Sequence, residues 1–451
     1  MKYLQSNRRP GPILNFEITK SSGLRANLLA HLNLLPQNSK LVFESHHSYF
    51  MKHSLPVYLA FFVLLVSLPL SSCKHKQETG LATIDVIAGL KQEKEFRLSE
   101  LVDSIEYIKL ETSKECLVSN ASKVIGKKYI LLLNHQPQQI MLFDRGGKFL
   151  RQIGKIGKGP GEYTYPYHID LSPDEDKIIA FDMAQNLILE YSVDGSFLAS
   201  HKTPSGLEAG PYYLDKENIA FLTTPYSDSM HYPHVRIMNL PTKKITPVYF
   251  IDFRRNPDKQ AGVYLQNNFH RTDEGIIFKH SLCDTIYCLS PDFKVKPVYV
   301  LHSFSNRAVY TSMTEQEIEG ISTGDLSCLT SKFLFYIGTN KERFHLVYNP
   351  LTKEISSLPK ITKCRGENDY AFGIINDLDG TEPVWFWGGS YIRDGRFANL
   401  LQVMDLKEMI KTDCFNKADL KTNQYRDQLR KMVEASSEND NPILRVMHLK
   451  K

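Results

Sequence analysis

The chain has 451 residues, 42% apolar and 11% aromatic, which suits a globular core of one large domain or two ordinary ones. Its formal charge is +5, yet residues 1–76 hold nine Lys or Arg against two Asp or Glu, leaving 46 basic and 48 acidic residues in the rest. The excess positive charge lies in the leader, so the body offers no basic track for a phosphate backbone and nucleic acid is not expected as a partner.

Residues 1–50 show no sustained period and no second export signal. They read as an N-terminal extension from a mis-called start codon, with Met51 the initiator. From Met51 the sequence runs MKHSLPVYLAFFVLLVSLPLSSC. Lys52 supplies a short positive region and Tyr58–Leu68 an apolar run. A helix of that length spans about 16 Å, roughly half a bilayer core, so the run has the length of a signal-peptide h-region, not of a membrane span. Leu70-Ser71-Ser72-Cys73 resembles a bacterial lipobox. That resemblance makes residues 51–73 a lipoprotein signal peptide and Cys73 the lipidated, palmitate-bearing N-terminus. Lys74 follows, not an inner-membrane retention Asp, which favours the outer membrane; either face remains open. No C-x-x-C occurs among the other cysteines, which argues against zinc-ribbon and thioredoxin readings.

Residues 74–100 are polar and read as a tether. Beyond them come short apolar runs bounded by Gly, Pro, Asp or Asn: IEYIKL, YILLLN, QIMLFD, KIIAFD, LILEYS, NIAFLT, VRIMNL, GIIFKH, TIYCLS and FHLVYN. Runs this short, rich in Ile, Val, Tyr and Phe, are strands. A repeat joins them. Gly147 and Phe149 recur as Gly195 and Phe197, 48 residues on, and Phe143, Tyr191, Met238, Tyr287 and Tyr348 follow one another at 48, 47, 49 and 61 residues. A unit of this length with about four strands is a propeller blade. The expected fold is all-β, a six-bladed β-propeller over residues 101–451 with a short helical insertion at about 405–435. In that insertion Tyr425, Leu429, Met432 and Val433 form a helical stripe. IEYIKL would pair beside the terminal NPILRVMHLK and close the ring, removing its exposed edges.

GKIGKGPGEYTYP (154–166) raises the question of a phosphate cradle. Gly157-Lys158 is followed by Gly159 and Pro160, so a Walker loop's hydroxyl is missing, and the dinucleotide fingerprint lacks its third Gly and its helix. No nucleotide is expected. Residues 153–198 instead resemble an NHL-type propeller repeat: a Gly-rich loop, a Pro, an inner strand, an Asp/Asn turn and an aromatic strand ending in D-G-x-F. The exported part, about residues 95–451, resembles the six-bladed β-propeller lipoproteins of Bacteroides-type bacteria. The likeness rests on the lipobox, residues 155–163, DTIYCLSPDFKVKPVYVL (284–301), NDLDG (376–380) and the terminal strand. It implies the fold and leaves the chemistry open.

NDLDG lacks the twelfth-position carboxylate of a calcium loop and reads as an Asx-rich turn. By the blade register, Tyr167, His168 and Asp170 fall on an inner strand, with Asn268, His270 and Arg271 in a comparable place two blades on. These polar groups are candidates for binding a carboxylate, a sugar or a metal. Trp385 and Trp387, sharing one face of PVWFW, are candidates for stacking on a ligand. His231 and His234 read as loop residues. No nucleophile or metalloprotease motif occurs. The leading expectation is a lipid-anchored binding or scaffold module of the outer membrane with a glycan, peptide or envelope protein as partner and no cofactor. The alternative is a lyase or lactonase-like hydrolase holding a divalent metal (Ca or Zn) on the propeller axis through at least three convergent His, Asp or Glu side chains.

Overall fold

Residues 130–133, 140–143, 178–181 and 219–222 are buried at every position, so the strands that carry them must be covered on both faces. A computed structural model shows how. It describes residues 81–204, 206–223, 231–252, 268–272, 274–279, 284–302, 323–329, 334–340, 342–362, 370–384, 386 and 395–450. Largely antiparallel sheets stand side by side, five of them built around four consecutive strands.

Blade 1 comprises Ala121–Ile125, Tyr129–His135, Gln138–Asp144 and Phe149–Ile153. Blade 2 comprises Pro166–Leu171, Lys177–Asp182, Leu187–Ser192 and Phe197–Lys202. Blade 3 comprises Leu207–Tyr213, Asn218–Thr223, His231–Asn239 and Lys244–Asp252. Blade 4 comprises Asn268–Thr272, Gly275–Lys279, Thr285–Leu289 and Val295–His302. Blade 5 comprises Thr323–Leu329, Leu334–Asn340, Glu342–Tyr348 and Ile355–Ser357. The first strands of successive blades neighbour one another, which sets them on the inner side of a propeller.

The repeat anchors Phe143, Tyr191, Met238, Tyr287 and Tyr348 each fall on the third strand of a blade. The turn after each third strand holds one left-handed residue: Gly147, Gly195, Lys243, Phe293 and Lys353, with φ between 59° and 90°. At Gly147 the requirement is also steric, since a Cβ would run into the Lys109 carbonyl.

The expected count of six blades is corrected to five. In place of a sixth, a three-stranded sheet is assembled from the two ends of the fold: Val102–Lys109, Ile443–Leu449 and Arg396–Leu401. The early strand does pair with the last, Ile105 opposite Met447. In the stretch that would have built another blade lie the 374–384 loop and three helices, Val403–Met409, Asp413–Asn416 and Gln424–Glu434. Leu429 and Val433 of the last helix are fully buried, with Tyr425 and Met432 packed partly over the same core. Of the tether expected over 74–100, residues 74–80 lie outside the described residues, and 81–100 join the fold. Ala82–Asp85 adds a parallel strand to blade 4, Ala82 opposite Tyr299, and Ile84, Val86 and Leu98 are buried.

Six apolar clusters join neighbouring sheets in cyclic order. The closing sheet meets blade 1 through Ile108, Leu444 and Ile125. Blades 1 and 2 share Leu142, Tyr163 and Tyr191, and blades 2 and 3 share Phe181, Ile188 and Phe221. Blades 3 and 4 share Tyr212, Val235 and Phe278, and blades 4 and 5 share Ile286, Leu301 and Leu346. Val347 and Leu358 of blade 5 then join Ile374, Phe386, Phe397 and Met447.

One polar group sits inside this last junction. Asp379 is fully buried and Arg445, on the terminal strand, nearly so. Arg445 Nη1 donates to Asp379 Oδ2 at 2.9 Å and Tyr107 Oη donates to the same oxygen at 2.6 Å. The other carboxylate oxygen accepts from the Thr381 N–H and hydroxyl at 2.9 and 2.7 Å. NDLDG is therefore an Asx turn, with the Asp379 N–H donating to Asn376 Oδ1 at 3.1 Å and Gly380 at φ 73°. Burial pushes the Asp379 carboxyl up, but Arg445, Thr381 and Tyr107 outweigh it and hold the group below its ordinary range.

Removing one partner strands the other charge in the core. Asp379→Ala or Arg445→Ala should each cost about 3–5 kcal/mol in urea unfolding. A lowered carboxyl pKa stabilises above the unfolded value and loses that contribution as pH falls through the folded one. The gap between wild type and Asp379→Ala should hold steady above about pH 5 and narrow below about pH 4.

Candidate functional site

The inner strands bring two of the predicted residues, Asp170 and Arg271, together with Tyr213, which was not among them. Asp170 is the penultimate residue of the first strand of blade 2, Tyr213 ends the first strand of blade 3, and Arg271 lies in the first strand of blade 4. Arg271 Nη2 donates to Asp170 Oδ2 at 2.8 Å and also to the Tyr213 carbonyl. The Tyr213 N–H donates to the same Asp170 oxygen at 2.8 Å. The guanidinium lies 5.5 Å from the centroid of the Tyr212 ring, whose edge meets His168 at 4.7 Å. Asp170 is fully buried and Arg271 only 13% exposed.

This set binds three blades together. Asp170 and Arg271, expected as ligand contacts, are here paired with each other. His168 is pushed down to about 4, first by burial, with Asp170 opposing and Arg271 assisting, so it is neutral at physiological pH. Asn268 and His270 lie on the Arg271 strand, with His270 half-buried opposite Ile277. Trp385 and Trp387 lie outside the described residues, as does Cys73. His234 is a core residue, its Nδ1 bonded to the Thr223 carbonyl at 2.9 Å, and burial pushes it down to about 4. Among the described residues no group of three His, Cys, Asp or Glu side chains could hold a metal ion.

The glycine loop is filled from within. Glu162 Oε2 accepts from the Gly159 N–H at 2.8 Å and Glu162 Oε1 meets Lys155 Nζ at 3.2 Å. A Cβ at Gly157 would collide with the Glu162 carboxylate, so the glycines make room for an acid. The Gly159 N–H, then Lys155, hold that carboxyl below its ordinary range. An anion cannot enter where a carboxylate already takes the N–H.

Tyr167 differs from its neighbours. His168 pairs with Phe181 and Pro166 with Asp182, so Tyr167 is the extra residue of a β-bulge. A bulge re-aims its side chain. Tyr167 is 45% exposed, as is Tyr165, with Met183 at 42%. Asp182 fixes this corner. Its carboxylate accepts from the Thr164 N–H at 2.5 Å, the Tyr165 N–H at 3.3 Å and the Gln185 N–H at 3.1 Å. The Met183 N–H closes the turn on the Tyr165 carbonyl at 3.0 Å.

A second concave feature escaped the sequence reading. A cavity of about 380 Å³ lies between the first strand of blade 1 and the Arg396–Leu401 strand, lined by Ser119, Asn120, Lys123, Asn399, Leu400 and Gln402 among others. Lys123 is half-buried, and burial pushes its ammonium down to about 8. Because the depressed pKa lies below that of the unfolded chain, the charge costs stability below pH 8 and the cost fades as pH rises past the ordinary lysine range. Lys123→Met should stabilise the protein by about 1–2 kcal/mol at pH 7 in thermal or urea unfolding, with the gain shrinking toward pH 10.

The described residues contain no helix long and apolar enough to cross a membrane. BF0058, inferred to be an exported protein of Bacteroides fragilis, shares the fold with a TM-score of 0.56 at 19% identity, over 82% of this chain and 100% of its own. A DUF4221-family protein of Bacteroides vulgatus aligns at 12% identity and a TM-score of 0.46, over 78% of this chain and 97% of its own. A streptogramin B lyase aligns at 13% identity and a TM-score of 0.32, over 56% of this chain and 72% of its own. Likeness at these identities concerns the fold alone. No curated protein matches the chain. Residues 81–448 match the family described as "Domain of unknown function (DUF4934)", and the chain belongs to that family.

Proposed function

We propose that the protein is an exported, lipid-anchored β-propeller of the outer membrane that acts as a binding or scaffold module. Its ligand is a glycan, a peptide or an envelope protein. The observation that carries this reading is the Tyr165–Tyr167–Met183 corner. An exposed aromatic pair is presented there by a bulge and fixed by Asp182, while Asp170 and Arg271 of the inner strands hold each other. Aromatic faces kept exposed on a rigid support suit stacking on a sugar ring or packing on an apolar side chain. The lipobox-like LSSC and the exported relative support the address. The NHL-like sequence of blade 2, with its glycine loop packed on Tyr163 and Tyr191, supports a structural purpose for those glycines.

Two measurements test the two halves. Cys73→Ser should abolish incorporation of a palmitate analogue and move the protein from the membrane pellet to the soluble fraction; unchanged labelling would end the anchor reading. Tyr165→Ala with Tyr167→Ala should weaken binding to the best ligand from glycan and peptide arrays at least tenfold without lowering the thermal midpoint. Undiminished binding would remove the platform.

A further inference from the structure

The cavity beside Lys123 is a different place from the tyrosine corner, and its composition is specific. Lys123 is its one cation. The Lys123 ammonium meets no carboxylate and no hydrogen-bond acceptor among the described residues. Around it stand uncharged groups: the amides of Asn120, Asn399 and Gln402, and the hydroxyl of Ser119, whose proton goes to the Gln136 carbonyl at 2.7 Å and whose oxygen is left to accept. Asn399 is oriented from behind, its Oδ1 accepting from Arg445 Nη2 at 3.3 Å. Arg445 is itself locked to Asp379 at 2.9 Å, so this wall of the cavity is braced by the buried closing pair. The Asn120 and Gln402 side chains have no partner among the described residues.

We infer that this cavity binds a small polyhydroxylated carboxylate, a sugar acid of monosaccharide size, with its carboxylate on Lys123 and its hydroxyls on Asn120, Asn399, Gln402 and Ser119. The charge count favours a single negative charge, since one lysine is present and no arginine fork that would suit a phosphate is among the lining residues. The amide-rich lining favours hydroxyls over an apolar tail, because Leu400 and Ala121 are its apolar members. A volume of about 380 Å³ falls at the small end of ligand pockets. The lowered lysine pKa agrees with a cation that lacks a protein counter-ion, a state that a bound carboxylate relieves. This inference goes beyond the proposed platform and does not depend on it.

Calorimetric titration of the full chain at pH 7 with galacturonate and glucuronate tests it, with galactose, glucose and sulfate as comparators. At least one uronate should bind, at least tenfold tighter than its neutral sugar and than sulfate. Lys123→Met should weaken that binding at least tenfold while keeping or raising the thermal midpoint. Asn120→Ala, at an exposed position, should weaken it severalfold without loss of fold. The Tyr165/Tyr167 double variant reports on the platform separately, since uronate binding that depends on those tyrosines and not on Lys123 would overturn the cavity assignment. So would absence of uronate binding, equal affinity for the neutral sugar, or sulfate binding as tightly as the uronate.

Discussion

Every blade carries apolar side chains on both faces, and that constraint organises the molecule. A sheet with one wet face could stand alone or pair once. Leu131 and Leu132, or Ile179 and Ala180, are successive residues that point to opposite faces, and all four are fully buried. Each blade therefore needs two neighbours, and a row of such blades leaves two apolar faces at its ends unless it bends into a ring. The cost of leaving those faces wet would be large, at about 25 cal/mol per Å² of apolar surface. Closure is the event on which the rest of the fold depends. It is achieved by a sheet that takes Val102–Lys109 from one end of the fold and Ile443–Leu449 from the other.

Closure in this way concentrates polar chemistry at the seam. The three-stranded sheet needs support from 374–384 and from the helices, and irregular backbone brought into a core must have its N–H and C=O groups answered. Asp377 accepts from the Ser99 N–H at 2.9 Å and hydroxyl at 2.6 Å, tying the loop to the N-terminal segment. Asp379 draws in Tyr107 from the first strand and Arg445 from the last. A single carboxylate thus senses whether both ends of the fold are in place. Blades 2 to 4 repeat the device with Asp170, Tyr213 and Arg271, which join strands of three different sheets.

The sequence was most legible where a residue type answers a backbone need that recurs. The aromatic or Met anchor of each third strand and the left-handed turn that follows are such needs, which is why five blades could be found from five anchors. The sixth was an inference from length, and length does not distinguish a blade from helices and a loop. Ala82–Asp85 was illegible because ATID is too short for a period and pairs with strand Val295–His302 from far along the chain. The blade register put Asp170 and Arg271 on comparable inner strands two blades apart. Whether they face a ligand or each other is a question of distance that spacing cannot answer. Tyr167 was found on its strand, but its exposure comes from a register shift opposite Asp182, and a bulge leaves no local signature. Lys123 sits in ASKVI among ordinary strand residues, and its isolation follows from which strand closes the ring beside it.

The contrast between the arginines and Lys123 is the most informative feature of the charge distribution. Arg271 and Arg445 are buried, and each has a carboxylate within 2.9 Å. Lys123 is half-buried beside a cavity and has none among the described residues. A fold that pairs its deepest charges this consistently is not short of carboxylates to place. An uncharged side chain at position 123 would pack the strand without the desolvation cost, and natural stabilities are small enough for that cost to matter. A residue that opposes folding while lining a polar cavity is the usual mark of a position held for binding rather than stability. Asp170 and Arg271, by contrast, hold each other and the Tyr213 backbone. Partnered charge holds the ring together, and unpartnered charge is where a ligand has something left to offer.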